Sequence, residues 1–304
     1  MTKTAVTAPD FEDQSFSAPA SDRPPFAQII NPRFTKKGIA PYGFALTKKN
    51  AEACSFSPPS HWDLVEHEFA SGDKEPVFMT LTPRLLIIAQ TPLYLKLRET
   101  GEFLGEMREI PDYWDNKNLY KIISYKWCYV LDENSKPCNA VPLLISLGGA
   151  SGASFNASWL QYQTKSVSRS GFCFDMEKAY AQSRKQDYKP MGELFHAHCI
   201  YEPMFDADER GTKPNTALVA IVASYKPANI GSLVVNGSDL SEQIKVARES
   251  VKDWQPRKKA NKPEVEDDGY SPKGKPLSGF SEYDAAAQSG VSGLDDDDFG
   301  YPPY

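Results

Sequence analysis

The chain has 304 residues, 40% of them hydrophobic, with 16 Phe, 15 Tyr and 5 Trp, and a net charge of -6. That supports one large domain or two small ones, while a mean hydropathy of -0.49 suits a globular centre diluted by unfolded tails. No apolar run approaches the roughly 18–20 residues that span a bilayer, and acids stand where a secretory leader needs an apolar stretch, so a cytoplasmic protein without membrane contact is expected.

The charge is unevenly spread. Residues 1–24 net -2 and residues 254–304 net -4, which leaves the middle of the chain neutral and free to carry a local basic surface. The five cysteines, Cys54, Cys128, Cys138, Cys173 and Cys199, are odd in number and lack C-x-x-C spacing. That excludes a disulfide framework and a zinc ribbon.

Residues 1–24 mix Ser, Ala, Pro and acids without periodicity and are expected to be a disordered tail. Residues 25–254 read as the β-rich globular domain. Near its start, "TKKNAEA" predicts a short helix over Lys48 to Ala53 capped by Thr47. "EPVFMTLTPRLLIIAQ" and "PLYLKLRETGEFLGEMREI" are rich in β-branched and aromatic residues, the second with a hairpin signal at Thr100-Gly101. "LYKIISYKWCYVLDENSKPCNAVPLLISL" predicts a hairpin turning at Asp132 to Ser135. Helices are expected around Phe155 to Val167 and Asp175 to Lys185. "GELFHAHCIYEPMF" and "TALVAIVASYK" then pair across a polar loop, "DADERGTKPN". A last helix, with Asp239 as N-cap and Glu242 three residues on, aligns Leu240, Ile244, Ala247 and Val251. The sum is an α+β fold: an antiparallel, hairpin-rich core, of which an OB-like core with helical insertions is one form, flanked by disordered tails. Residues 255–293 have linker composition, and 294–304 form an acidic, aromatic tip.

Catalytic signatures are scarce. H-E-x-x-H, G-x-S-x-G and the nucleotide loop are all missing, so a non-enzymatic protein with no cofactor is expected. "SLGGASGAS" (146–154) lies between a predicted strand and helix, where backbone N–H groups could meet a phosphate, although a tight connection explains the same glycines. "HAHC" puts His196 and His198 on one face of a predicted strand, a geometry that could share a metal. No matching ligands stand nearby in sequence, so ordinary strand histidines are the simpler reading.

Aromatic and basic residues interleave more suggestively. "NPRFTKKGIAPYGFALTKKN" contains Arg33, Phe34, Lys36, Lys37, Tyr42, Phe44, Lys48 and Lys49. "KNLYKIISYKWCYV" places Tyr125, Trp127 and Tyr129 on one strand face with Lys121 at its near end. Rings on which bases stack, framed by cations that neutralise phosphate, are what single-stranded nucleic acid needs. Rings alternating along a strand also fill cores.

The chain finishes "GLDDDDFGYPPY", and no Lys or Arg occurs from Pro276 onward. Asp295, Asp296, Asp297 and Asp298 could steer this tip to a basic surface, with Phe299, Tyr301 or Tyr304 filling an apolar pocket. The layout resembles bacterial and phage single-stranded DNA-binding proteins, which join a β-rich core through a flexible linker to an acidic tip with a terminal aromatic residue. The resemblance implies that the tip recruits replication or repair proteins and competes with DNA for the core. "FAQIINPR", "GFALTKKNAEACSF", "TPRLLIIAQTPLYL" and "LGGASGASF" look like an uncharacterised domain family associated with cyanobacterial genomes and plasmids. That likeness implies a bacterial, mobile-element setting and no activity. The leading expectation is a single-stranded DNA-binding protein, able to gain from forming a homo-oligomer on one strand. The alternative is an adaptor or structural protein that binds protein rather than nucleic acid.

Overall fold

Stretches rich in aliphatic and aromatic residues, the central ones apolar on both faces, pair in the computed structural model into one large mixed sheet. The structure describes residues 24–256 apart from 37, 70–71, 166, 213–214 and 235–238. The strands are β1 (Phe26–Ile30), β2 (Phe34–Thr35), β3 (Gly38–Ile39), β4 (Gly43–Thr47), β5 (Asp63–Glu68), β6 (Lys74–Thr80), β7 (Leu85–Gln90), β8 (Tyr94–Leu97), β9 (Phe103–Glu106), β10 (Tyr120–Val130), β11 (Leu143–Gly148), β12 (Ile200–Tyr201), β13 (Pro203–Thr212) and β14 (Asn215–Tyr225). The helices are α1 (Lys48–Ala53), α2 (Gly149–Leu160), α3 (Phe172–Ser183), α4 (Glu193–His196) and α5 (Asp239–Val251). Among the described residues no helix is long and apolar enough to cross a membrane.

The main sheet runs β12-β7-β10-β11-β1-β4-β6-β5, with β8 on the first half of β10 and β9 beyond it. All pairs are antiparallel except β1 with β11. The fold is α+β, as the sequence predicts, but the sheet stays open between β12 and β5, so no OB-like barrel closes.

Strand β10 shows how the sheet sorts its residues. Cys128 and Val130 enter the core beneath α1, α2, α3 and the β13–β14 hairpin. Ile123, Tyr125, Trp127, Tyr129 and Leu131 enter the opposite core, under α5. On α5, Leu240, Ile244, Ala247 and Val251 all pack into that second core, as their spacing predicts. The α1 bounds match the expectation, with Thr47 Oγ1 accepting from Asn50 N at 3.3 Å.

One local expectation holds and two are corrected. The glycine-rich run is a tight strand-to-helix connection, spanning the end of β11 and the first turn of α2: Gly149 takes φ +61°, and a Cβ on Gly152 would stand 2.6 Å from Leu147 C. These glycines let the helix turn directly off β11 and pack tightly on it. The "HAHC" segment is a helical turn, α4, and not a strand. The polar "DADERG" is not a loop but most of β13, paired residue for residue with β14.

Candidate nucleic-acid interface

Between β1 and β4 the chain leaves the sheet as a small finger. Its tip is the β2–β3 hairpin, paired Phe34 to Ile39 and Thr35 to Gly38, and closed by Ala40 N donating to Arg33 O at 2.9 Å. The root is pinned: Asn31 Oδ1 accepts from Ser151 Oγ on α2 at 2.7 Å and from Ala220 N on β14 at 3.0 Å. Arg33 and Lys36 are exposed, and the Phe34 ring is 77% exposed. Leaving such a ring in water forgoes about 1.5–3 kcal/mol of burial. Residues 31–43 hold three cations and no acid. Burial, and after it the Arg33 charge, hold His67 on β5 below the usual histidine range.

Strand register decides what stands beside the finger. Phe26 is level with Leu144, and Ile123 with Gly148, so the last residues of β1 and β11 and the first part of β10 end at one edge. Lys121 belongs to this edge: its Cε is 3.4 Å from where a Gly148 Cβ would stand. Trp114 lies on the 3-10 turn Pro111–Trp114 that leads into β10; it is 61% exposed, with Lys117 Nζ 5.6 Å from its ring centroid. Nothing in the periodicity marks this tryptophan, because a 3-10 turn has no stripe to break. Its local signal is the turn-rich "YWDNKN" around it. Lys121 and the Trp114–Lys117 pair thus stand on the β10 side of the sheet end at which the finger is rooted, two strands from β1.

The other predicted residues do not join them. Lys48 and Lys49 are exposed but begin α1, at the far end of β4 from the finger. Tyr42 is half-buried, and its hydroxyl donates to Asp206 Oδ1 at 3.3 Å; burial and Asp206 raise its pKa. Phe44, Tyr125, Trp127 and Tyr129 are core residues and present no face to a base. The last three stand under α5, where Trp254 packs edge-on against Tyr125 and Trp127 at 5.2 and 5.5 Å. The helix covers the face that alternation alone left open. Lys37 and the tip residues Asp295–Asp298, Phe299, Tyr301 and Tyr304 lie outside the described residues.

Elsewhere the polar groups are engaged with one another. His196 Nε2 meets Glu177 Oε1 at 2.7 Å, whereas His198 bonds Leu194 O and Ser241 Oγ, so the two imidazoles point to different partners. Glu177 also accepts from Arg169, Tyr188 and the Met191 N–H. These bonds outweigh its burial and hold its carboxyl below the usual range. Among the described residues no group of three or more His, Cys, Asp or Glu could hold a metal ion. Cys54, Cys128, Cys173 and Cys199 are buried, and desolvation raises each thiol. Lys126 is 4% exposed on the face opposite Trp127, its Nζ donating to Gln90 Oε1 at 2.8 Å.

A family profile described as "Domain of unknown function (DUF5895)" matches residues 21–266. "Uncharacterized protein 254L" of Invertebrate iridescent virus 6 is 26% identical over 145 residues. That match covers 45% of this chain and 39% of the viral protein, so the chain spans well under two thirds of that relative. No solved structure matches.

Proposed function

This chain belongs to the DUF5895 family, whose function is unknown, and from its own surface we propose that it binds single-stranded DNA along the finger edge. The observation that carries the reading is Phe34, a ring 77% exposed at a hairpin tip and flanked by Arg33 and Lys36. A base stacks on such a ring whatever its identity, and the two cations meet the adjoining phosphates. Lys121 and the Trp114–Lys117 pair offer the same chemistry on the β10 side of the sheet end where the finger is rooted. The site needs no catalytic group. The acidic 294–304 tip would recruit replication or repair proteins, with its aspartates attracted to the same cations when DNA is absent.

Anisotropy of a labelled oligo-dT strand tests the reading. The wild type binds with an affinity that falls as salt rises. Phe34→Ala weakens binding by about 1–3 kcal/mol, the worth of one stacked base. Lys36→Gln lowers the salt slope by about 0.7. Lys48→Gln with Lys49→Gln changes neither, since those lysines stand at the other end of β4. No binding by the wild type, or equal losses from the finger and the α1 lysines, sinks the proposal. In that case Phe34 and the half-exposed Ile39 beside it would favour a protein-binding adaptor.

A further inference from the structure

One end of the main sheet finishes on β5. Native edges are blunted by Pro, charged side chains, bulges or brevity, and β5 uses charge of a single sign, its exposed Asp63, Glu66 and Glu68, which repels an acidic or identical strand but not a basic one. The opposite end, β12, is two residues long, but β5 runs for six and pairs with β6 without a bulge from Asp63–Met79 to Glu68–Lys74. Among the described residues β5 pairs with no other strand.

Pro76 reveals which backbone groups face outward. It stands opposite Glu66 and has no N–H to donate, so that pair occupies a non-hydrogen-bonded position of the ladder. With period two, the N–H and C=O groups of Leu64, Glu66 and Glu68 then point away from β6 toward the free edge. The same three side chains share one face and are all exposed, Leu64 to 58%. On β6 they face Phe78, Pro76 and Lys74 in turn, and Glu68 is 3.5 Å from Lys74 Nζ. The inner neighbour therefore supplies one cation against two carboxylates.

We propose that the β5 edge docks an extended basic peptide of a partner protein, which adds as an antiparallel strand. The charge pattern selects this occupant. Such a strand places cations opposite Glu66 and Glu68 and an apolar side chain opposite Leu64, repeating the Lys74 and Phe78 pairing on the outer side. A second copy of β5 is disfavoured, because antiparallel self-pairing of Asp63-Leu-Val-Glu-His-Glu68 sets Asp63 against Glu68.

The probe is a fluorescein-labelled peptide, acetyl-Lys-Thr-Lys-Val-Phe-Thr-amide, titrated against the full chain at two salt concentrations. In the proposed register its second lysine and its phenylalanine turn their N–H groups to β5, while its first threonine and its valine turn theirs to solvent. N-methylation of the first pair costs on the order of tenfold in affinity, and N-methylation of the second pair costs less than about twofold. Glu66→Gln and Glu68→Gln each weaken binding by up to about fivefold and flatten its salt dependence. Glu66→Pro removes an outward N–H while sparing the bonds to β6, and also costs on the order of tenfold. No binding, equal effects of the two methylations, or indifference to all three Glu variants overturns the proposal. The methylated peptides keep the test valid where Glu66→Pro fails to fold. Phe34→Ala leaves peptide binding unchanged, so a failure here is distinct from a failure of DNA binding.

Discussion

Replacing Lys126 with methionine should stabilise the protein at neutral pH. Burial lowers the Lys126 pKa from 10.5 to about 8, and the nearby Cys173 and Glu193 only partly oppose it. A drop of that size corresponds to about 3 kcal/mol charged against the folded state. Methionine fills a similar volume without a charge, at the loss of the bond to Gln90 Oε1, worth about 1 kcal/mol for a half-buried acceptor. The net gain is about 2 kcal/mol at pH 7. Below pH 8 folded and unfolded chains both hold the proton, and the folded state bears the whole cost. Between 8 and 10.5 the unfolded chain binds more protons, so wild-type stability rises with pH relative to the variant. At pH 10 the remaining cost is about 1 kcal/mol, and the two proteins should unfold almost together. Urea unfolding of both proteins at pH 7 and pH 10 measures the difference. A variant destabilised at pH 7 by an amount that does not change with pH would refute the reasoning and make Lys126 a required structural donor.

Arg33→Gln should raise the His67 pKa, because the Arg33 charge opposes protonation there; imidazole proton shifts against pH in the two proteins read it directly. A histidine held below its ordinary value contributes stability that is present above the unfolded value near 6.5 and lost as pH falls through the lower folded value. The variant should therefore lose less stability than wild type over that window. Gly152→Ala forces a Cβ within 2.6 Å of Leu147 C and should cost about 1–3 kcal/mol in urea unfolding, the range for overpacking. Truncation after Gly293 removes four consecutive aspartates and should tighten oligo-dT binding most at low salt; unchanged affinity would mean that the tip does not compete for the finger edge.

Local signals in the sequence carried the elements whose cause is itself local. Thr47 caps α1 because its hydroxyl reaches Asn50 N three residues on, and the stripe on α5 reports its buried face at helical spacing. The Thr100-Gly101 signal marks the β8–β9 hairpin because Gly101 takes φ +70°. The finger's exposed Arg33, Phe34 and Lys36 stood in the same short segment and were legible together. Tertiary structure decided the rest. Alternation places Tyr125, Trp127 and Tyr129 on one face of β10 but cannot say whether that face is wet; α5 and Trp254, about 120 residues away in sequence, bury it. Lys48 and Lys49 sit within 16 residues of Arg33, yet β4 carries them to the opposite end of the sheet, while register brings Lys121 to the finger's side. The two histidines of "HAHC" share a face only if the segment is a strand, and it is a helical turn. A strand or helix period states which residues share a side; only the packing of distant elements states what that side meets.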